Sequence, residues 1–449
     1  MIKRFKIILL LALIFAFSCT SKKEADSNKF SVGGLTVILK IIPESDIVSL
    51  GYYINGGSAY LSPQQAGLER LLLAVSPKGT ENFDKETLQG QLEAMGSQIF
   101  SKAGTDYSSL NLKCLADKFQ DSWYIFQDII LYPLLDSTEI ELEKANQLAI
   151  IRSERDQPEN YLNKLSREFY FKGHPYALSS LGLERTVKEF SRIDLVKYHE
   201  NNFTKSRGLL IVVGGITKQE ILDLAQKLAK ELPRGKKYEG NLPDKWIKTT
   251  SSMLTIESKT PIPTNYLIGA ANAPNLLSPD YYAFQLAIQK LNTRVFEEVR
   301  TKRNLSYAPR AGYRRGRISV NYLYVTTTQP DTVIGIMFNE LDRLKENLIT
   351  AKELKELQMM NLTRYYMDGE TTGAQQSILA NYELTGPGFE NAANFMENIK
   401  AVTVDDIQRV SRTYMDNYQF TYLGDPSQVN DEVFLSYGWP DGEPENAEK

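Results

Sequence analysis

The chain has 449 residues, of which 42% are hydrophobic and 24% are charged, a composition typical of globular proteins and not of disordered ones. This length exceeds what one ordinary hydrophobic core supports, so we expect two domains. The formal charge is -3 and falls to -6 without residues 1–18, which gives no support to nucleic-acid binding.

The N-terminus is typical of an export signal. Residues 1–6 are basic, residues 7–17 form an unbroken apolar run too short to cross a membrane comfortably, and Cys19 follows. This arrangement resembles a bacterial lipoprotein box, which implies that residues 1–18 are a signal peptide and that Cys19 carries a lipid. An ordinary secretory signal or a retained membrane anchor are the alternatives. We predict a polar tether at 19–29 and a chain anchored on the periplasmic side of a bacterial envelope, with the outer membrane favoured.

Strand and helix patterns alternate along the first half of the mature chain. The predicted strands are 30–40, 47–56, two within 99–115, and 209–214; the predicted helices are 64–75, 85–95, 117–131, 138–155 and 194–201, with a loop at 156–158. Cys114 is the one cysteine after Cys19, so no internal disulfide is possible within the mature chain. The alternation points to a sandwich of sheet and helices.

The second half of the chain repeats the first. Five features recur in the same order, and their spacing drifts from 216 to 210 residues. The matched pairs are Ser62-Pro63 with Ser278-Pro279, Asp117 with Asp331, Thr138 with Thr350, Asp194 with Asp406, and Gly214 with Gly424.

This repeat predicts an α+β protein of two homologous α/β-sandwich domains, each an antiparallel-type sheet covered by helices. The domains are predicted at 30–235 and 253–430. A polar linker at 236–252 joins them, and an acidic tail occupies 431–449.

The segment 291–313 contains a candidate binding pair. Leu291, Val295, Phe296 and Val299 recur at helical spacing and are predicted to line one buried face. Arg300 ends this helix and Tyr307 follows seven residues on, so a loop folding back over the last turn would bring the two together. Guanidinium and phenol groups both donate hydrogen bonds and could hold the carbonyl groups of an extended peptide. From these residues alone, a surface arginine and a half-buried tyrosine are the alternative.

Several motifs in order make the chain resemble the insulinase and pitrilysin metallopeptidases, which include the mitochondrial processing peptidase subunits. The likeness covers nearly the whole mature chain. It rests on Gly67 with Lys78-Gly79-Thr80, Asp156 to Pro158, His174-Pro175-Tyr176 with Gly182, Tyr198 to Phe203 before LLIVVGG, and Arg294 with Arg300 and Tyr307.

The metal motif of that family is degenerate here. Active members carry His-x-x-Glu-His on a helix of the first domain, where the histidines bind zinc and the glutamate activates water. Counted back from Lys78-Gly79-Thr80, the two histidine positions hold Arg70 and Ala74, and the glutamate position holds Leu73. We read Leu73 and Ala74 as part of the apolar face of the 64–75 helix.

The distal zinc-ligand position of the family falls on Ile150, with Glu154 one helical turn further on. The chain has two histidines, His174 and His199, and they are not spaced as a ligand pair. We expect them to make ordinary hydrogen bonds. The prediction is therefore that this chain has no cofactor and binds no catalytic zinc.

The resemblance gives the second domain a different role. Family members use an arginine and a tyrosine of the half without metal to bind the substrate backbone, and Arg300 and Tyr307 match both residue types and their spacing. The implied function is a non-catalytic, substrate-binding subunit of a heterodimeric zinc peptidase that acts on unfolded peptides in the cell envelope, with a homologous partner supplying the zinc.

Two alternatives stay open at this point. The chain could be a catalytically dead homologue that acts as an envelope scaffold or binding lipoprotein, similar to the core subunits of respiratory complexes. It could also be an active peptidase with an unusual metal site, although three ligands at plausible spacing cannot be named.

Overall fold

The computed structural model describes residues 27–236, 250–258 and 262–435. The predicted signal peptide, Cys19 with most of the tether, and most of the linker lie outside these residues. Within them, two mixed β-sheets organise the fold, one in each half of the chain.

The first sheet has six strands. They are β1 (Ser27–Val32), β2 (Leu35–Ile41), β3 (Ile47–Asn55), β4 (Gln98–Ala103), β5 (Tyr107–Leu115) and β6 (Gly208–Gly214). Their spatial order is β1-β2-β6-β3-β5-β4, with β2 and β6 parallel and the other neighbours antiparallel.

Eight helices belong to the described part of the first half. They are α1 (Leu68–Val75), α2 (Lys85–Ala94), α3 (Phe119–Leu131), α4 (Ser137–Asp156), α5 (Pro158–Tyr170), α6 (Glu184–Glu189), α7 (Arg192–Asn202) and α8 (Lys218–Glu231). The apolar residues of α1, α3 and α8 share one core with the residues of β2, β3, β5 and β6 that point to the same side.

The second sheet has five described strands, β7 (Ser252–Glu257), β8 (Asn265–Ala273), β9 (Arg310–Arg314), β10 (Ser319–Thr327) and β11 (Gln419–Gly424). Their order is β7-β11-β8-β10-β9, with β7 and β11 parallel. The helices are α9 (Tyr281–Val295), α10 (Pro330–Glu346), α11 (Ala351–Asp368), α12 (Thr372–Thr385), α13 (Phe395–Ala401), α14 (Val404–Tyr414) and α15 (Asp431–Leu435).

The predicted fold class is confirmed: strands β2 to β6 and β7 to β11 have the same order and the same single parallel pair. The residues that revealed the repeat have local physical roles. Asp194 and Asp406 each occupy the third position of a helix and accept a hydrogen bond from the N-cap backbone, of Ser191 at 2.9 Å and of Thr403 at 3.0 Å. Such capping boxes fix where α7 and α14 begin.

The two halves exchange one helix each. Leu162 of α5 is fully buried against Ile268, Tyr324 and Leu423 of the second sheet. In return α12 packs on β3 and β6 of the first sheet, where the Thr372 hydroxyl lies 2.8 Å from that of Ser49. Each sheet is therefore covered on its second face by a helix from the other half, which ties the halves into one body.

The structure departs from the predicted elements at several places. Helix α5 begins at Pro158, where only a loop was predicted, because Pro is compatible with the first helical position. Strand β1 begins at Ser27 within the predicted tether, and β7 begins at Ser252 within the predicted linker. The first helix starts at Leu68, later than the predicted residue 64, because Gly67 has a left-handed φ of 94°.

The predicted acidic tail also contains ordered structure, since α15 begins at Asp431 and buries Phe434 completely. None of the helices in the described ranges combines the length and apolar character needed to cross a membrane.

Candidate functional site

The C-terminal end of α9 is closed by a single π-helical turn, Phe296–Thr301, and the chain then folds back over that turn. The backbone N–H of Leu305 donates to the carbonyl of Val299 at 3.0 Å, and that of Asn304 donates to the carbonyl of Arg300 at 3.1 Å. Asn304 has a left-handed φ of 52°, a conformation that Asn tolerates better than most residues. The loop thus reverses within a few residues.

This reversal brings Arg300 and Tyr307 together. The guanidinium carbon of Arg300 lies 5.0 Å from the ring centroid of Tyr307, within the range of a cation–π contact. A guanidinium nitrogen of Arg300 also donates to the Asn304 side-chain oxygen. Tyr307 is 81% exposed, so its hydroxyl can donate to an incoming molecule, whereas Arg300 is half-buried and held from two sides.

The predicted apolar face of this segment is correct at three of its four positions. Leu291, Val295 and Val299 are fully buried, but Phe296 is 47% exposed. Because the π turn and the bulk of the loop cover the Val299 side of the helix, Phe296 is left on the outer surface.

The degenerate metal positions lie where α1 packs against α4. Leu73 belongs to the hydrophobic core and is 1% exposed, Arg70 and Ala74 are half-buried, and Ile150 is 41% exposed on α4. An alkyl chain, a methyl group and a guanidinium have no lone pair for a cation, so these residues do not fit a zinc ion. No three His, Cys, Asp or Glu side chains gather into a possible metal site in the described ranges.

Both histidines make ordinary hydrogen bonds, as predicted. The Nε2 atom of His199 lies 2.8 Å from the carbonyl oxygen of Ile130, and burial lowers the pKa of this imidazole. The Nδ1 atom of His174 accepts from the backbone N–H of Tyr176 at 3.1 Å.

Glu69, next to Arg70 on α1, is a buried carboxylate that sequence reasoning missed. It is 2% exposed and accepts hydrogen bonds from the hydroxyls of Ser108 and Tyr198. Burial raises the pKa of this carboxyl, although both hydrogen bonds and the charge of Arg207 oppose that effect. Glu69 therefore joins α1 to β5 and α7, and each of its carboxylate oxygens accepts one of these hydrogen bonds.

Sequence reasoning also missed a group of arginines on one face of the second sheet: Arg310 and Arg314 on β9, with Arg167 on α5. A local feature of the sequence could have drawn attention to Arg310 and Arg314: no Asp or Glu occurs between Glu298 and Asp331.

Comparison with known proteins gives two family matches. Residues 36–182 match the family described as "Insulinase (Peptidase family M16)", and residues 189–361 match "Peptidase M16 inactive domain". Together these ranges contain both the degenerate metal positions and the Arg300–Tyr307 pair.

Individual relatives agree with the family matches. The chain is 23% identical over 396 residues to the mitochondrial-processing peptidase subunit beta of Saccharomyces cerevisiae, with 84% of this chain and 82% of that protein covered. It is 26% identical over 243 residues to cytochrome b-c1 complex subunit 1 of Bos taurus, covering 53% and 50%. Among solved structures, a protease from Helicobacter pylori has the same fold, with a TM-score of 0.81, 15% identity, and coverage of 89% and 100%.

Proposed function

The chain belongs to the insulinase family of M16 peptidases as a non-catalytic member, and from this premise we propose that it is the substrate-binding subunit of a two-chain zinc peptidase. The partner is a homologous chain that keeps the metal motif. The substrate is an unfolded peptide, and the location is the cell envelope, with Cys19 as the lipid anchor. The observation that carries the proposal is the stacked Arg300–Tyr307 pair, with Tyr307 81% exposed, in a chain whose metal positions hold Arg70, Leu73, Ala74 and Ile150.

The chemistry of the pair suits a peptide backbone. A guanidinium and a phenol both donate hydrogen bonds, and two successive carbonyl groups of an extended peptide are acceptors. The stack and the Asn304 contact hold Arg300 in place before the peptide arrives, so less side-chain entropy is lost on binding. Positioning of the peptide, and not bond cleavage, is the role assigned to this chain.

The test is reconstitution of the mature chain with a homologue that keeps His-x-x-Glu-His. We expect the mixture to cleave peptides faster than the homologue alone, and the isolated chain to contain less than stoichiometric zinc. Arg300→Ala with Tyr307→Phe should lower kcat/KM of the mixture by about 10- to 100-fold, because each lost hydrogen bond contributes roughly 1 kcal/mol.

A matched control removes the same two residue types elsewhere. Arg185 and Tyr124 are both exposed, on α6 and α3 of the first half, and Arg185→Ala with Tyr124→Phe should leave the rate unchanged. The proposal is wrong if the mixture is no faster than the homologue alone, or if both double variants behave alike.

The similarity to cytochrome b-c1 complex subunit 1 favours a second candidate, a scaffold or binding protein of the envelope. A stable complex with the homologue, formed without any gain in cleavage rate and indifferent to Arg300 and Tyr307, would support this candidate instead.

A further inference from the structure

An unusual concentration of positive charge follows the Arg300 helix. Between Glu298 and Asp331 the sequence has seven arginines and lysines and no carboxylate, in a chain whose net charge is -3. Three of the seven already have side-chain partners. Lys302 and Arg303 pair with Glu298 at 2.6 Å and 2.5 Å, and Arg317 is used in the contact between the two halves.

Arg310 and Arg314 are different, because no carboxylate oxygen of the described residues lies within 4.0 Å of either guanidinium. Both lie on β9, the last strand of the second sheet, and both are exposed. Arg310 pairs with Tyr324 of β10, so residues 310, 312 and 314 point to the face that α5 partly covers. At the usual rise of a strand, the two arginines lie about 13 Å apart on that face.

The neighbours of Arg314 hold its guanidinium in a defined position. Its carbon lies 5.2 Å from the ring centroid of Tyr322, and one nitrogen donates to the side-chain oxygen of Asn163 on α5 at 2.5 Å. Gly312 leaves the strand free of a side chain between the two arginines, and the Tyr322 ring lies over it.

Arg167 of α5 adds a third guanidinium beside Arg314. Its Nε atom is buried and, among the described residues, has no acceptor. Burial lowers the pKa of Arg167 despite Glu154 and Glu168 nearby, and both burial and the charge of Arg167 lower the pKa of Arg314. Two like charges held side by side repel each other, and a bound anion would relieve this repulsion.

We propose that these three residues, Arg167, Arg310 and Arg314, form an arginine face that binds the carboxylates of an acidic peptide. The inference rests on the proposed function, since β9 begins three residues after Tyr307 and the same extended peptide would reach both sites. Glu159 lies near Tyr324 at the Arg310 end, so its negative charge marks the edge of the positively charged face on that side. The favoured ligand has two carboxylates four residues apart, which matches the spacing of Arg310 and Arg314.

The experiment is fluorescence anisotropy of labelled decapeptides with the full mature chain. One peptide has two Glu residues four positions apart, a second has Gln there, and a third has Lys. We expect the Glu peptide to bind at least about tenfold more tightly than the Gln peptide. This difference should shrink as salt rises from about 50 mM to about 500 mM, because exposed charges are screened.

Variants assign the preference to the arginine face. Arg310→Gln with Arg314→Gln should abolish the preference for Glu and leave the affinity for the Gln peptide unchanged. Arg310→Glu with Arg314→Glu should favour the Lys peptide. Lys302→Gln with Arg303→Gln removes the same charge from groups that are already paired with Glu297 and Glu298, and should change nothing.

Equal affinity of wild type for the Glu and Gln peptides would overturn the inference. So would an equal loss of preference in the Lys302 and Arg303 variant. Arg300→Ala with Tyr307→Phe separates the two proposals. An equal loss of affinity for all three peptides supports the backbone-binding role, whereas unchanged affinity with the Glu preference intact contradicts that role and leaves the arginine face standing.

Discussion

Adjacent residues of α1 illustrate how this chain departs from the family's metal motif. At Arg70 the side chain offers only donors, whereas the carboxylate of Glu69 is fully enclosed by Ser108 and Tyr198. A carboxylate is therefore present one residue from a family metal position, but its side chain points into the core. Exposure and direction, and not residue type alone, decide whether an acid can bind a ligand.

The buried carboxyl of Glu69 predicts a pH dependence of stability. Burial raises its pKa in the folded chain, so its contribution to stability is full below the pKa of the unfolded chain and is lost as pH rises through the folded value. Glu69→Gln removes this titration and keeps hydrogen-bonding groups for Ser108 and Tyr198. We expect the variant to gain free energy of unfolding relative to wild type as pH is raised, measured by urea denaturation at a series of pH values.

Glu86→Gln serves as the control for this measurement, because Glu86 is exposed on α2. The gain of Glu69→Gln with rising pH should exceed any change seen in this variant over the same pH range. A constant difference for Glu69→Gln would contradict the inference that burial governs this carboxyl.

At the scale of single elements, the short helix α15 makes an apolar contact that its acidic sequence did not predict. Phe434 is completely buried, and its ring centroid lies 5.2 Å from that of Phe420 on β11, while the neighbouring Leu435 is 43% exposed. Phe434→Ala should lower the free energy of unfolding by about 3–5 kcal/mol, because a large buried side chain is lost and a cavity remains. Leu435→Ala should change it by less than about 0.5 kcal/mol. Similar effects of both substitutions in urea denaturation would mean that α15 does not pack on the second domain.

An element was predictable where its own residues mark it, and its packing partner was not predictable where that partner is distant in the chain. Strand β3 was predicted at 47–56 and lies at Ile47–Asn55. Its continuous run of apolar residues is visible in the sequence without knowledge of the strands beside it. Helix α5 was missed because its buried positions, such as Leu162, face the sheet of the other half. The same rule applies to the site.

Arg300 and Tyr307 are seven residues apart and meet through one loop, so their contact could be predicted. The arginine face could not, because Arg167 reaches Arg314 only when α5 crosses to the second sheet.

At the scale of the whole molecule, the exchange of α5 and α12 makes the two halves interdependent, and Arg317 lies at their junction. Its guanidinium donates to the Tyr60 hydroxyl at 2.9 Å and to the Asn55 side-chain oxygen at 3.0 Å, both in the first half, and to the carbonyl of Leu384 at 2.9 Å. Its backbone N–H donates to the buried carboxylate of Asp106 at 3.1 Å. One side chain thus satisfies acceptors from both halves of the chain.

This junction predicts that the halves unfold together and that Arg317 couples them. Arg317→Met should lower the free energy of unfolding by about 2–4 kcal/mol, because hydrogen bonds from a charged donor contribute about 1.5–3 kcal/mol each and the partners left behind are partly buried. It should also separate the unfolding transitions of the halves. Fluorescence of Trp123, in a background with Trp246→Phe and Trp439→Phe, reports on the first half, and far-ultraviolet circular dichroism reports on both.

In wild type the two probes should give coincident urea curves, as expected of one cooperative unit. In Arg317→Met the fluorescence and circular dichroism curves should no longer coincide. Arg315→Met is the matched control, because that guanidinium is exposed and lies 5.8 Å from the Tyr313 ring centroid, within the second half, and its loss should leave the curves coincident. Coincident curves in Arg317→Met would mean that the exchanged helices alone hold the halves together, because α5 and α12 bury apolar surface that the substitution does not touch.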